Sequence, residues 1–228
     1  MDNNKYFKGL TRKEYIQRVH GIIERDGCND ISIRKIAEEL GCSSAALYRY
    51  FENKSELLYY VNLQTLESYI IRLNQEEKHW NNPWEVYVGV WDCYCKEAFS
   101  HPKEYNRLFF EHTNETLNYA IREYYEMFPE NIKEMNLKFQ EMLNTPDFLG
   151  RDYKMCLRCV EAGVLSEENA KQLNRSVCML FKGYFKTVYD EKIEKHKIDA
   201  MTRDVIGDID MIVRALASDL QGYHGYYE

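Results

Sequence analysis

No apolar run in the 228 residues approaches the ~20 that a bilayer span requires, which argues against a membrane-crossing helix. Met1 to Gly9 is polar and lacks the apolar core of a signal peptide, so the expected location is the cytoplasm. Gly-rich phosphate loops, nucleophile elbows and His-x-x-x-His metal pairs are missing. The six histidines, His20, His79, His101, His112, His196 and His224, stand isolated. With no candidate triad or metal site to assemble, the expectation is a protein that is not an enzyme, with no metal and no cofactor. Tandem repeats, low-complexity segments and the alternation of half-buried strands are also absent.

Positive charge is scarce as well, with a net charge of −7. The deficit is uneven: residues 1–58 hold ten Lys/Arg and nine Asp/Glu, whereas the remainder holds 20 and 28. The acidity therefore belongs to the larger part of the chain. Seven cysteines are scattered and odd in number, as expected of reduced thiols. Cys93-x-Cys95 and Cys156-x-x-Cys159 have spacings that metal or redox motifs use, but both fall within continuous helical patterns. Core packing is the expectation there, since free cysteine behaves as a small hydrophobe.

With 45% apolar residues the chain is globular. Its most informative stretch runs from Ser32 to Phe51. Ser32 is placed to cap a helix whose Ile33, Ile36, Ala37 and Leu40 form one apolar face. Gly41 suits a left-handed turn, and Ser43 caps a second helix whose Leu47 and Phe51 point inward together. Ser44, Ala45, Tyr48 and Arg49 point elsewhere, on a surface with few charges that suits a DNA major groove. Upstream, Thr11 to Arg25 reads as an amphipathic helix packing Tyr15, Ile16, Val19, Ile22 and Ile23 over the pair, ended by Gly27. Downstream, Asn53 and Glu56 have capping-box spacing. Lys54 sits beside the free N–H groups of that helix start, where a phosphate would meet a cation and a positive dipole end.

The pattern Ser-x-x-x-Ile-Ala-x-x-x-Gly-x-Ser-x-x-x-Leu-Tyr-x-Tyr-Phe-x-x-Lys-x-x-Leu, from Ser32 to Leu57, resembles the TetR family of bacterial transcriptional regulators. The resemblance covers the first quarter of the chain. It implies an all-α protein: a three-helix helix-turn-helix domain over residues 1–53, and a helical effector-binding and dimerisation bundle over residues 54–228. It implies base or phosphate contact by Arg34, and groove-facing positions for Ser44, Ala45, Ala46 and Arg49, flanked by the caps Ser32 and Ser43. It further implies backbone contact by Tyr48, a nearby aromatic at Tyr50 and a phosphate-binding Lys54. Ser44-Ala45-Ala46 replaces the Lys-Gly-Thr found in many members, which favours thymine-methyl contacts over phosphate contacts.

Helix signals recur through the remainder. One helix is expected from Lys54 to about Leu73. Another follows the start signal Asn82-Pro83-Trp84-Glu85. Others are expected from His101-Pro102, over Asn114 to Phe128, weakly over Ile132 to Leu143, and from a Thr145-Pro146 cap to about Gly163. Ser166 to Asp190 and Thr202 to Leu220 close the chain, leaving Gln221 to Glu228 as a linker-like tail.

The family resemblance implies that the last two helices pair with a second copy in a homodimer with a four-helix, two-fold seam. Leu173, Val177, Leu180, Phe181, Tyr184, Phe185, Val205, Ile209, Ile212, Val213 and Leu216 are the candidate seam residues. The expected partner is then double-stranded DNA with a pseudo-palindromic operator. The resemblance also implies a site for a small-molecule effector, mostly apolar or aromatic, whose binding relieves repression. Tyr87, Trp91, Tyr94, Phe110, Tyr124, Phe128, Met155 and Cys159 are candidate lining residues, although aromatic stripes at helical spacing are more often core. A thiol- or metal-responsive switch and a ligand-independent DNA binder remain alternatives.

Overall fold

A computed structural model describes residues 10–26, 31–111, 114–133, 135–145, 147–191 and 193–227. The polar stretch Met1–Gly9, the terminator Gly27 and Pro146 lie outside the described residues. Twelve α-helices and no strand occur among the described residues. They are α1 (Arg12–Asp26), α2 (Ile33–Glu39), α3 (Ser44–Tyr48), α4 (Lys54–Leu63), α5 (Leu66–Glu76), α6 (Pro83–Ser100), α7 (Pro102–Phe109), α8 (Asn114–Met127), α9 (Leu137–Asn144), α10 (Phe148–Glu161), α11 (Glu167–Glu191) and α12 (Lys195–Leu216). None is long and apolar enough to cross a membrane.

Three short helices form the head. Tyr15, Ile16, Val19 and Ile22 of α1 are buried with Ile36, Ala37, Leu47 and Phe51. The head rests on α4, which packs against α1, α7 and α8. Continuity from α4 into α5 is interrupted, contrary to the single helix expected over Lys54–Leu73. At Gln64 and Thr65 the amides bond to Val61 and Asn62, three residues back, in a tightened turn.

In the body, α6 is buried on most sides, as its apolar sequence demands. It packs along α12, while α10 packs along α11. Asn82 caps α6 by accepting from the Trp84 and Glu85 amides at 3.0 Å, with Pro83 in the first turn. Other boundaries differ from expectation. Asp147, not Thr145-Pro146, caps α10, accepting from the Gly150 amide at 2.7 Å. Thr145 instead ends α9. The closing helix starts at Lys195, seven residues before Thr202, and stops at Leu216.

The seam residues expected on the last two helices fall into two sets. Leu173, Val177, Phe181, Phe185, Val205, Ile209 and Val213 are buried in the monomer's own core, so they are not available to a second copy. Leu180, Tyr184, Ile212 and Leu216 are half-buried. The sequence periodicity identified an apolar face without saying what covers it, and α6 and α10 cover it here. The outward face of the pair carries Met179 and Met211, which are 55% and 63% exposed.

The expected linker-like tail is docked instead. Just before the tail Trp84 Nε1 donates to the Asp219 carbonyl at 2.8 Å, and within it the Tyr226 hydroxyl accepts from Trp80 Nε1 at 3.3 Å. The hydroxyls of Tyr223 and Tyr227 donate to Asp210 and Asp92.

Candidate nucleic-acid interface and the interior of the body

The helix-turn-helix is set by local chemistry. Ser32 Oγ accepts from the Lys35 amide at 3.2 Å, capping α2. At its far end the Cys42 amide reaches the Ala37 carbonyl at 2.9 Å and the Gly41 amide reaches Glu38 at 3.0 Å. That paired closure is a Schellman motif, and it needs the residue between to be left-handed: Gly41 has φ +65°. The chain then turns through Ser43, whose Oγ accepts from the Ala46 amide at 3.2 Å and starts α3.

Leu47 and Phe51 anchor α3 to the head, which fixes the opposite side as its free surface. Ser43, Ala45, Tyr48 and Arg49 are exposed there, Tyr48 at 54%, with Ser32 and Arg34 exposed on α2. Ser44, Ala46 and Lys54 are half-buried at the margins. Tyr50 turns inward against Tyr15, with ring centroids 5.4 Å apart, and so supports the head. Lys54 opens α4, where Asn53 Oδ1 accepts from the Glu56 amide at 2.9 Å. Lys35, beside Arg34, went unremarked in the sequence. It is exposed and lies 3.8 Å from Asp26, so its charge is partly engaged by α1.

Inside the body, a cavity of about 30 Å³ is walled by Tyr69, Val90, Trp91, Tyr94, Met142, Phe148, Arg151, Asp152 and Met155. Of the expected lining residues it brings together Trp91, Tyr94 and Met155. Tyr87 and Cys159 pack to one side of it. The Cys156 thiol lies 3.9 Å from the Tyr87 hydroxyl, and Cys159 Sγ is 3.9 Å from the Pro83 carbonyl. Phe110 packs between Phe148 and Phe185, and Tyr124 stacks on Phe128 at 4.7 Å near the head.

Sequence reasoning passed over Arg151 and Asp152. The signal was present: Phe148, Arg151, Asp152, Met155, Cys156 and Cys159 share one inward helical stripe, and two of those positions carry charges. Trp91 Nε1 donates to Asp152 Oδ1 at 2.8 Å and Asn174 Nδ2 to Oδ2 at 2.9 Å. Burial nevertheless dominates and raises the Asp152 carboxyl to about 6, against the lowering effect of the Asn174 and Trp91 hydrogen bonds. The four cysteines of the two spaced pairs are buried and unbridged. Burial raises the Cys93, Cys95 and Cys156 thiols and pushes Cys159 up to about 12, which disfavours the reactive thiolate.

A capped helix pair with one exposed, weakly charged face, seated on a larger helical body, defines a helix-turn-helix protein. The comparisons narrow the class. Residues 21–61 match the family model described as bacterial regulatory proteins, tetR family. Over 78 residues the chain is 36% identical to an HTH-type transcriptional regulator of Staphylococcus aureus (strain USA300), a stretch covering 32% of this chain and 42% of that protein. The matched stretch thus spans less than half the length of that curated relative. Two solved structures share the fold. A protein with unknown function from Rhodococcus sp. RHA1 superposes with a TM-score of 0.57 at 15% identity, covering 95% of this chain and 100% of that one. A putative tetR family transcription regulator from Shewanella sp. PV-4 gives 0.50 at 13% identity, covering 92% and 100%. In its amino-terminal domain the chain is similar to the TetR family, and in its overall fold to the two solved structures.

Proposed function

We propose that this protein is a DNA-binding transcriptional regulator that acts as a repressor. It grips a pseudo-palindromic operator as a two-fold dimer and is released by a small, mostly apolar or aromatic effector. The observation that carries this reading is the free face of α3. Its apolar side anchors the head, and what remains outside is Ser43, Ala45, Tyr48 and Arg49, flanked by Arg34. A surface of small residues, one phenol and one guanidinium matches the methyl groups and acceptors of a major-groove edge. Lys54 at the start of α4 supports phosphate contact beside it.

Two heads joined through the outer faces of α11 and α12 would present two such helices to successive turns of DNA. The head meets the body through α4, which joins α5 across the tightened turn at Gln64 and Thr65, and Tyr69 of α5 walls the cavity. An effector that changes the packing there acts on the head through a contiguous path. A coupling of about 1–3 kcal/mol changes operator affinity roughly 5–150-fold.

The test is selection of bound duplexes from a random pool with the full chain. The expected product is an inverted repeat. Within it, Arg49→Ala should relax preference at one base position, whereas Lys54→Ala should weaken all sequences alike and reduce the salt slope by about one. No retained duplex at low ionic strength would overturn the reading.

A further inference from the structure

Arg151 is a buried cation without an acidic partner. It is 6% exposed. Its Nε donates to the Thr145 carbonyl at 2.7 Å and its Nη2 to the Leu143 carbonyl at 2.9 Å, at the end of α9. Those are neutral acceptors, although a helix end carries partial negative charge. Nη1 is buried and has no hydrogen-bond partner. Among the described residues its guanidinium forms no ion pair. Its adjacent carboxylate, Asp152, is turned to Trp91, Asn174 and the Cys156 thiol. A buried charge left this way is costly, and a ligand of opposite sign removes the cost.

The surroundings specify the shape and charge of that ligand. Tyr69, Trp91, Tyr94 and Phe148 supply ring faces to the same cavity wall, with Met142 and Met155 as adaptable filler. The Tyr94 hydroxyl on that wall is buried without a partner, as are the hydroxyls of Tyr105 and Tyr125. Burial raises the pKa of all three phenols and the Arg151 charge works against that rise, so its positive field reaches each of them. One guanidinium and neutral phenol donors match a flat group of a single negative charge. A phosphate monoester carries about −1.5 to −2, whereas the described cavity wall holds one cation, Arg151, and beside it the Asp152 carboxyl, which opposes a second negative charge.

We propose that the effector site is centred on Arg151 and takes a small aromatic monocarboxylic acid, with the carboxylate on Nη1 and the ring among Trp91, Tyr94 and Phe148. The inference rests on the effector reading above and specifies its chemistry. The open space, about 30 Å³, admits only a water-sized group, so the acid enters by spreading α5, α6 and α10. That spreading moves Tyr69 on α5 and so reaches the head. A site that opens only when filled couples occupancy to shape.

The experiment titrates the full chain with benzoate, phenylacetate and cinnamate, and with their uncharged amides, following heat and melting temperature. At least one acid is expected to bind saturably and its amide at least tenfold more weakly. Tyr94→Phe should weaken the acid several-fold while leaving the free protein's melting temperature unchanged or higher, because it deletes an unpaired hydroxyl. Arg151→Gln should abolish the preference for acid over amide. Because Arg151 also holds the end of α9, the Tyr94 variant keeps the test valid if that protein fails to fold. Amides binding as well as acids would overturn the anion site and leave an effector pocket standing. Failure of every acid overturns the proposal; failure of acids and amides alike to bind or to release selected operator DNA counts against the effector reading too.

Discussion

Arg12 of α1 and Glu123 of α8 form an ion pair that fastens the head to the body. The other guanidinium nitrogen donates to Glu56 of α4 at 2.7 Å, and the guanidinium lies over the Tyr60 ring at 4.3 Å. Tyr60 donates its hydroxyl to the same Glu123. Three helices thus meet at one cation, whose side chain is 22% exposed. Arg12→Ala should cost about 1–3 kcal/mol, since it deletes a charge-assisted hydrogen-bond network and a cation–π contact together. Urea unfolding measures the loss. The variant should also bind operator with a weaker response to effector, because the head then keeps only α4 and the Lys13–Glu130 pair as described ties to the body. An unchanged response would locate the coupling elsewhere.

Gly89 and Trp80 make a second close approach. A Cβ built on Gly89 would lie 2.3 to 2.6 Å from Trp80 ring atoms, inside any carbon contact distance. The ring is held from behind by Phe139 at 6.2 Å and by its hydrogen bond to Tyr226. Alanine in a helix gains about 1 kcal/mol over glycine, but overpacking costs about 1–3 kcal/mol. Gly89→Ala should therefore come out net destabilising, with a melting temperature a few degrees lower. Differential scanning calorimetry checks it, and an increase would mean the indole swings aside freely.

Legibility in the sequence followed the range of the interactions. Ser32, Gly41, Ser43 and Asn82 act on neighbours within a turn or so, and each was readable as a cap or turn. The boundary at Asp147 was missed because Thr145-Pro146 offers the same kind of signal two residues earlier. Long-range choices were not encoded locally. Val177 and Phe181 belong to an apolar stripe that fits a monomer core or a dimer seam equally well. Tyr223 and Tyr227 looked like tail residues until Asp210 and Asp92, distant in sequence, became their partners. The head was the most legible part because its fold and its surface are specified within about 50 residues. The cavity was least so, because four helices contribute to it.

Asp152 gives the stability a signed pH dependence. Its carboxyl titrates near 6 when folded and near the ordinary 3.9 when unfolded. Between those values the folded state holds more protons, so raising the pH favours unfolding. The contribution is full below about pH 4 and lost once the pH passes about 6, up to about 3 kcal/mol in all. Asp152→Asn cannot titrate. The stability of the natural protein minus that of the variant should therefore shrink by that order between pH 4 and pH 7. Urea unfolding at four pH values provides the comparison; a constant difference would mean the buried carboxyl titrates at its ordinary value.

Met211 tests how two copies would join. The inward stripes of α11 and α12 are consumed by the monomer, so a seam has to use the other side. There, Met179 and Met211 are the large exposed apolar groups, and a Cβ placed on Gly183 or Gly207 would meet open space. Small residues beside large ones allow two backbones to approach while the methionines fill the gaps between them. Met211→Glu places one carboxylate per copy in that seam, where like charges and desolvation oppose association. The expected result in sedimentation is a folded monomer with unaltered helical dichroism. Operator affinity should fall by about 10²–10⁴, because linked half-sites become independent ones. Binding to an isolated half-site should persist, since α3 is untouched. A variant that still sediments as a dimer would place the seam on another face, and one that loses half-site binding as well would mean that the substitution has damaged the fold.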